Sequence, residues 1–409
     1  MSTKYIITKH KDRLFTAVFK DDKCVELHPS QDSSEVAGNI YIGRVENVVK
    51  NINSAFVEIQ KGVKCYYSLD ENKRHFFLNK KNNTSVNQGD LLLLQISKEP
   101  IKTKPATVTG KITLTGRFLV LSSDVSGVSI SSKTKSNDNC RYLKSVLCEN
   151  INFDALDGYE YLSDNQKDFG RFGFILRTNS AKAEEKEVLA EALKLIDDFR
   201  DILKKSLFAS AFTHVYKAPP GYIEFLKNAK FSEECEFVTD LEDVYETLAE
   251  EIAGDKRVNL RLYKDDLLSL SKLYSLESII SNAMCRKLWL KSGGYIIIEQ
   301  TEALTVIDVN SGKYVANTRK KSDKEKTYVL VNKEAAVEIA RQLRLRNISG
   351  IIVVDFINMT DKSDNSEFIT YLKQLLKQDE TDTAFVDITK LGLVEITRKR
   401  SGKPLIELL

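Results

Sequence analysis

The sequence predicts a multi-domain α/β protein, and three observations lead there. The chain has 409 residues, more than one hydrophobic core ordinarily organises. Residues 38–122 alternate apolar and polar positions as strands do, with no helical period. From residue 286 onward, strands and helices alternate, the pattern of a sheet covered by crossover helices.

Taken in order, residues 1–37 read as short strands with turn residues at Asp21, Asp22, Pro29 and Ser30, ending in a polar "SQDSSE" connection. They are too few to fold alone. In residues 38–122, "NIYIGRVENVVKN", "SAFVEIQ", "KCYYSL", "GDLLLLQISKEP" and "ITLTGRFLVLS" predict the five strands of a small closed barrel of the oligonucleotide-binding type. Residues 123–218 carry the strand "FGFILRT" and then a helix from about Ala181 to Phe208. Asn179 and Ser180 are placed to cap it, and Glu184 and Glu185 suit its positive end. Leu189, Ala192, Leu193, Ile196, Phe199 and Leu203 recur at helical spacing and predict its buried stripe. "KAPPGY" breaks the chain, and residues 219–285 are expected to complete the segment 1–37.

The last unit, residues 286–409, has strands "GGYIIIEQ", "ALTVIDVN", "GIIVVDFIN", "AFVDITK" and "GLVEITRKR". A helix from about Lys333 to Arg346 separates the second from the third, with Ala336, Ile339, Ala340 and Leu343 as its apolar stripe and Gly350 beyond its end. Strand, crossover helix and strand make a parallel unit, so both strands finish at one edge of the sheet. Each ends in an aspartate, Asp308 and Asp355. On neighbouring strands about 4.8 Å apart, two such carboxylates can share a hard cation, and oxygen-only ligation favours magnesium. Asn310, two residues past Asp308, lies on the same side of an extended chain. An aspartate closing a strand can equally form an Asx turn.

Composition narrows the function classes. Apolar residues make up 42% of the chain, and no apolar run approaches the ~20 residues of a membrane span. The N-terminus lacks the apolar core of a secretion signal. Six scattered cysteines show no C-x-x-C pair, so a reducing cytoplasm is expected, without disulfides or a zinc knuckle. Net charge is +3, but basic residues crowd 98–117, 313–326 and "TRKRSGK", as basic patches or as solvated surface. The four histidines fit no H-E-x-x-H, and neither a G-x-S-x-G elbow nor a phosphate-binding G-x-x-x-x-G-K-[ST] loop occurs, which argues against protease, esterase and nucleoside triphosphatase chemistry.

"GGYIIIEQTEALTVIDVNSGKY", "EIARQLRLRNISGIIVVDFINM" and "LGLVEITRKR" closely resemble the signature blocks of the ribonuclease E/G family, magnesium-dependent endoribonucleases that cut single-stranded RNA. "NIYIGRVENVVKNINSAFVEIQKGVKCYYSL" resembles that family's S1 barrel, and "FGFILRTNSA" its 5′-sensor segment. The resemblance implies a split ribonuclease-H-like domain (1–37 and 219–285), an S1 RNA-binding barrel (38–122), a 5′-sensor α/β subdomain (123–218) and a DNase-I-like catalytic domain (286–409). It implies that Asp308 and Asp355 hold catalytic Mg2+ with Asn310 as the third catalytic-site residue. Phe56, Tyr66 and Lys104 fall at RNA-contacting positions, with barrel core the alternative for the two aromatics, and Arg177 and Thr178 match the pair that binds a 5′-monophosphate. Arg141 is a looser match as a supporting contact, and a structural salt bridge is the role expected of it first. Tyr66 stands where phenylalanine is usual, and Glu299 where aspartate is. Longer members of the family continue past "TRKR" into a C-x-x-C motif that shares zinc between subunits. This chain carries no such pair, so no zinc-link site is expected and a homodimer is left open.

The expected function is therefore a cytoplasmic, magnesium-dependent endoribonuclease with single-stranded RNA as partner, sensing 5′-monophosphate ends in RNA processing, ribosomal RNA maturation or messenger decay. A non-catalytic RNA-binding or ribosome-assembly factor of the same fold is the alternative, and a DNA-selective nuclease a third.

Overall fold

The computed structural model describes residues 3–30, 36–80, 85–100, 104–153, 171–228, 235–252, 257–312, 321–400 and 402–409. The "SQDSSE" connection, apart from Ser30, and the first part of the basic 313–326 run lie outside these residues. Contacts divide the chain into two units, Gln31–Ser232 and the combination of Met1–Ser30 with Glu233–Leu409.

In the first of these, strands Ile40–Val49, Ser54–Gln60, Val63–Ser68, Thr107–Thr109 and Leu91–Lys98 form a closed five-stranded barrel, because Ile40–Val49 pairs with both Ser54–Gln60 and Leu91–Lys98. Period-two alternation sends Ala55, Val57, Ile59, Cys65 and Tyr67 into its core. The Tyr67 hydroxyl pairs with His75 Nδ1 at 2.7 Å. Burial holds the His75 pKa below its ordinary value, with nearby Asp90 opposing the shift. The unfolded chain therefore takes up this proton first, and stability should fall as pH drops through about 6.5. His75→Gln should flatten that part of the stability curve, read as urea midpoint against pH; an unchanged slope would remove His75 from the account.

The barrel closes earlier than the sequence predicts. Its fifth strand is Thr107–Thr109, whereas residues 112–122 fold into a hairpin, Thr113–Thr115 against Leu119–Ser122, within a separate four-stranded sheet that includes Gly127–Ile130 and Gly173–Leu176. A long-range contact holds the turn of this hairpin. Glu191 accepts hydrogen bonds from the backbone N–H groups of Arg117, Phe118 and Leu119 at 2.7, 2.8 and 2.8 Å, which bends the chain at this turn. Charge-assisted bonds of this kind contribute about 1.5–3 kcal/mol each. Glu191→Ala should cost about 3 kcal/mol or more, measured by urea unfolding, and a loss near zero would show that the hairpin holds itself.

The long helix runs Glu185–Leu207, one turn later than expected. A 3-10 turn, Thr178–Lys182, precedes it, and the cap is Glu184 in a reciprocal capping box with Glu187. Asn179 and Ser180 do not cap the helix; Asn179 donates to the Lys227 carbonyl and Ser180 to the carbonyl of Arg177. Val188, Ala192, Leu195, Phe199 and Ile202 line the buried face. Leu193 falls one position off that stripe and is 59% exposed.

In the other unit, Thr3–His10, Arg13–Lys20 and Lys23–Pro29 form an antiparallel meander, extended by Cys235–Thr239 and Val258–Leu262 running parallel to the first strand. Two chain segments far apart in sequence thus share one sheet. The last sheet has strand order Lys287–Trp289, Tyr295–Gln300, Leu304–Asn310, Gly350–Asp355, Val394–Arg398, Thr383–Ile388. Its helix Lys321–Leu345 starts well before the predicted Lys333, and Lys362–Leu376 packs beside it. The apolar side chains of both helices bury one face of the sheet. Among the described residues, no helix is long and apolar enough to cross a membrane.

Candidate active site

Leu304–Asn310 pairs antiparallel with Tyr295–Gln300 and parallel with Gly350–Asp355. The parallel register sets Asp308 directly beside Asp355. Ile307, Val309, Ile352 and Val354 are buried in the core beneath the helices, so the alternating positions Val306, Asp308, Asn310, Ile351 and Asp355 belong to the opposite face. Val306 and Ile351, 40% and 57% exposed, mark that face as open. The sequence places the acids at a strand edge, but the strand runs on to Asn310, and the pair sits on the open face near the C-terminal ends.

Asn310 Nδ2 donates to Asp308 Oδ2 at 2.6 Å. An ionised carboxylate only accepts, so the amide nitrogen must face it, and roughly four lone-pair sites leave Asp308 capacity for a cation. The bond orients the carboxylate beside Asp355. Among the described residues, no group of three or more His, Cys, Asp or Glu is gathered to hold a metal. A cation here would depend on two carboxylates and water, as magnesium sites commonly do.

Three supports of this geometry were not legible as site residues. Asn332, fully buried on the covering helix, donates to the Ile357 carbonyl at 2.8 Å and accepts from the Ile357 N–H at 3.0 Å, holding the chain just after Asp355. Glu334 accepts from the N–H groups of Lys291 and Ser292 at 2.6 and 3.0 Å, fixing the turn into Tyr295–Gln300. Gly312 has φ of 61°, and a Cβ there would collide with the Gly293 carbonyl. Buried Asn between apolar residues is the only one of these signals a sequence could have offered.

Phe56 and Tyr66 face each other across paired strands, with ring centroids 6.2 Å apart at 73°. Both are half-buried and point away from the core formed by Ala55, Val57, Cys65 and Tyr67. The Tyr66 hydroxyl, the group a phenylalanine would lack, bonds Ser54 Oγ at 2.6 Å. Exposed Lys104 leads into the strand Thr107–Thr109, which pairs with Val63–Ser68 beside Tyr66. Phe56 and Tyr66 are therefore neighbours on the barrel exterior, and Lys104 lies three residues before the strand that pairs beside Tyr66.

Arg177 immediately precedes the 3-10 turn, and Thr178, exposed, begins it. The guanidinium donates to the carbonyls of Gly116 and Lys227 and to Asn228 Oδ1. Burial lowers the Arg177 pKa, and the charges of Glu191 and Glu224 oppose that shift. Its own hydrogen bonds go to neutral acceptors, which holds the fork in place without neutralising it by contact. Arg141 lies on the neighbouring helix Asp138–Asn150, paired with Asp138 at 3.0 Å. On the same helix Asn139 donates to the carbonyls of Ser180 and Ala183 at 3.2 and 3.1 Å and so braces the turn.

Comparison with known proteins identifies the family. The model of the ribonuclease E/G family matches residues 113–401. Ribonuclease E of Nostoc sp. (strain PCC 7120) is 31% identical over 424 residues, covering 99% of this chain and 57% of that protein. Ribonuclease G of Salmonella typhimurium is 31% identical over 92% of this chain and 75% of its own length. Ribonuclease G of Escherichia coli (strain K12) is 30% identical, covering 94% of this chain and 77% of that protein. The chain thus spans little more than half of the ribonuclease E and about three quarters of the ribonucleases G. The family model runs through both aspartates and the Arg177 turn, and on that match the chain belongs to the ribonuclease E/G family, whose named members are ribonucleases.

Proposed function

We propose that the protein is a cytoplasmic endoribonuclease that cuts single-stranded RNA in RNA processing or decay, with Mg2+ held by Asp308 and Asp355. One observation carries this reading: the in-register carboxylate pair, oriented by Asn310, on the open face of a sheet within the family match. The donor set fits magnesium, since every protein ligand offered is a hard oxygen. Bound there, the ion would supply charge neutralisation at the phosphodiester and acidify a water. The chain's own residues do the rest: Asp308 and Asp355 fix the position, and Asn310 sets the Asp308 rotamer.

The RNA strand is held by stacking of unpaired bases on Phe56 and Tyr66, which tolerates any sequence, with Lys104 on a phosphate. Arg177 and Thr178, at the start of a turn rich in backbone N–H groups, bind a 5′-monophosphate, with Arg141 on the flank. In-line attack leaves a 5′-phosphate and a 3′-hydroxyl.

The test is incubation of the protein with matched 5′-monophosphorylated and 5′-hydroxyl single-stranded RNAs and the corresponding DNA, with Mg2+ or with chelator. Cutting of RNA that needs Mg2+ and runs faster on the monophosphorylated strand is the expected result. Binding without cutting would assign the fold to a non-catalytic RNA-binding factor, and preference for DNA would overturn the substrate class.

A further inference from the structure

We infer that Trp289, Tyr295 and Lys287 form a second nucleotide-binding platform beside the carboxylates, taking the base and phosphate of a nucleotide next to the one being cut. The inference rests on the proposed ribonuclease reading for its substrate, but its geometry is independent of it. Trp289 pairs with Tyr295, and Lys287 with Ile297, in the antiparallel edge of the last sheet. Tyr295 in turn pairs with Asn310, and Ile297 with Asp308. Residues directly opposite on antiparallel strands share a face, so all of them belong to the open face that carries Asp308 and Asp355. Trp289 lies two strand spacings, about 10 Å, from the Asn310 position.

The three side chains are organised around one charge. Lys287 Nζ sits 4.2 Å from the centroid of the Trp289 ring and 3.7 Å from that of Tyr295. The two rings are 5.3 Å apart at 64°. A cation held by two rings orients both of them. Trp289 is nevertheless 67% exposed, so packing does not explain the indole. An aromatic face open to water with a fixed ammonium beside it complements a nucleotide, because the ring stacks on a base and the ammonium faces the phosphate. A neutral apolar partner would gain nothing from Lys287. The edge strand, three residues long, is too short to template strand addition by a protein.

Trp289 is the only tryptophan in the chain, so its fluorescence reports on this platform alone. The full chain carrying D308N, to prevent cutting, is titrated with a short 5′-monophosphorylated single-stranded RNA. Saturable quenching is expected, and it should disappear when the nucleotide flanking the cleavage position is made abasic. In the otherwise unaltered chain, Trp289→Ala should raise KM by about 5- to 150-fold, the range of one base stack, with kcat changed less. Trp289→Phe should restore most of the loss, and the abasic RNA should be insensitive to Trp289→Ala. Unchanged fluorescence, together with unchanged KM in an enzyme that cuts, overturns the platform. A change in solution mass rather than in KM would reassign the patch to a second copy of the chain and overturn it equally. Failure of the unaltered chain to cut RNA would instead strike the proposed function, since the titration still reads the platform.

Discussion

Asp308→Asn should abolish cutting of single-stranded RNA, lowering the rate by about 10³-fold or more, while RNA affinity changes little. The substitution keeps shape and removes one of two charges that can hold the cation. A metal stabilises a phosphodiester transition state by several kcal/mol, and each 1.4 kcal/mol is tenfold in rate. Asp355→Asn should do the same, because the register makes the two positions equivalent. Asn310→Ala should cost less, about 10- to 100-fold, since Asn310 acts through Asp308. Raising Mg2+ should recover part of the Asn310→Ala loss and none of the Asp308→Asn loss. Cutting by Asp308→Asn at the unaltered rate would sink the assignment of the site.

Arg398→Met should destabilise the Asp308-bearing sheet by about 3–5 kcal/mol, the cost of stranding one partner of a buried ion pair. "TRKR" reads in the sequence as a basic surface patch, but Arg398 is 5% exposed. Its Nε donates to Asp379 Oδ2 at 2.8 Å, and Nη1 donates to Asn347 Oδ1 at 2.9 Å and to the Ile348 carbonyl at 3.2 Å. Asp379 is as deeply buried, with its side chain 7% exposed. Removing the guanidinium leaves the Ile348 carbonyl without this donor, and leaves the Asp379 charge with only the Thr381 N–H and the Thr383 hydroxyl, both at 3.0 Å, in place of a counter-ion. The double variant Arg398→Met, Asp379→Asn should recover much of the loss, because the orphaned charge goes too. Trp289, in the same sheet, follows this unit's unfolding in urea. A shift below about 1 kcal/mol would mean that the buried pair is dispensable.

Much of the site was legible in one short stretch. "LTVIDVN" alternates with period two, and that local rule alone places Asp308 and Asn310 on one side and Ile307 and Val309 on the other. The apolar helix between "ALTVIDVN" and "GIIVVDFIN" likewise dictates a parallel pair, since a crossover of that length permits little else. Outward-facing Phe56 and Tyr66 obey the same alternation once Ala55, Val57 and Cys65 are recognised as core.

Elsewhere local signals misled. Residues 112–122 carry a strand pattern, yet the barrel closes without them and they form a separate hairpin, whose turn gives three N–H groups to Glu191, seventy-odd positions away. Asn179 and Ser180 look like helix caps, but Asn179 is drawn to Lys227 and Ser180 to its own turn. Arg398 looks solvated until Asp379 and Asn347 are brought around it. Apart from the local Ser180 bond, each outcome depends on which distant group supplies the partner, and pattern does not encode that.

The sequence by itself determined that an α/β unit would carry two acids on neighbouring parallel strands, because hydrophobic period and chain connectivity are local constraints. Only the tertiary structure decided that these acids stand in register on an uncovered sheet face, in line with Lys287, Trp289 and Tyr295. Register follows from how the helices seat Ile307, Val309, Ile352 and Val354 together, and side-chain packing sets that only after the chain has closed on itself.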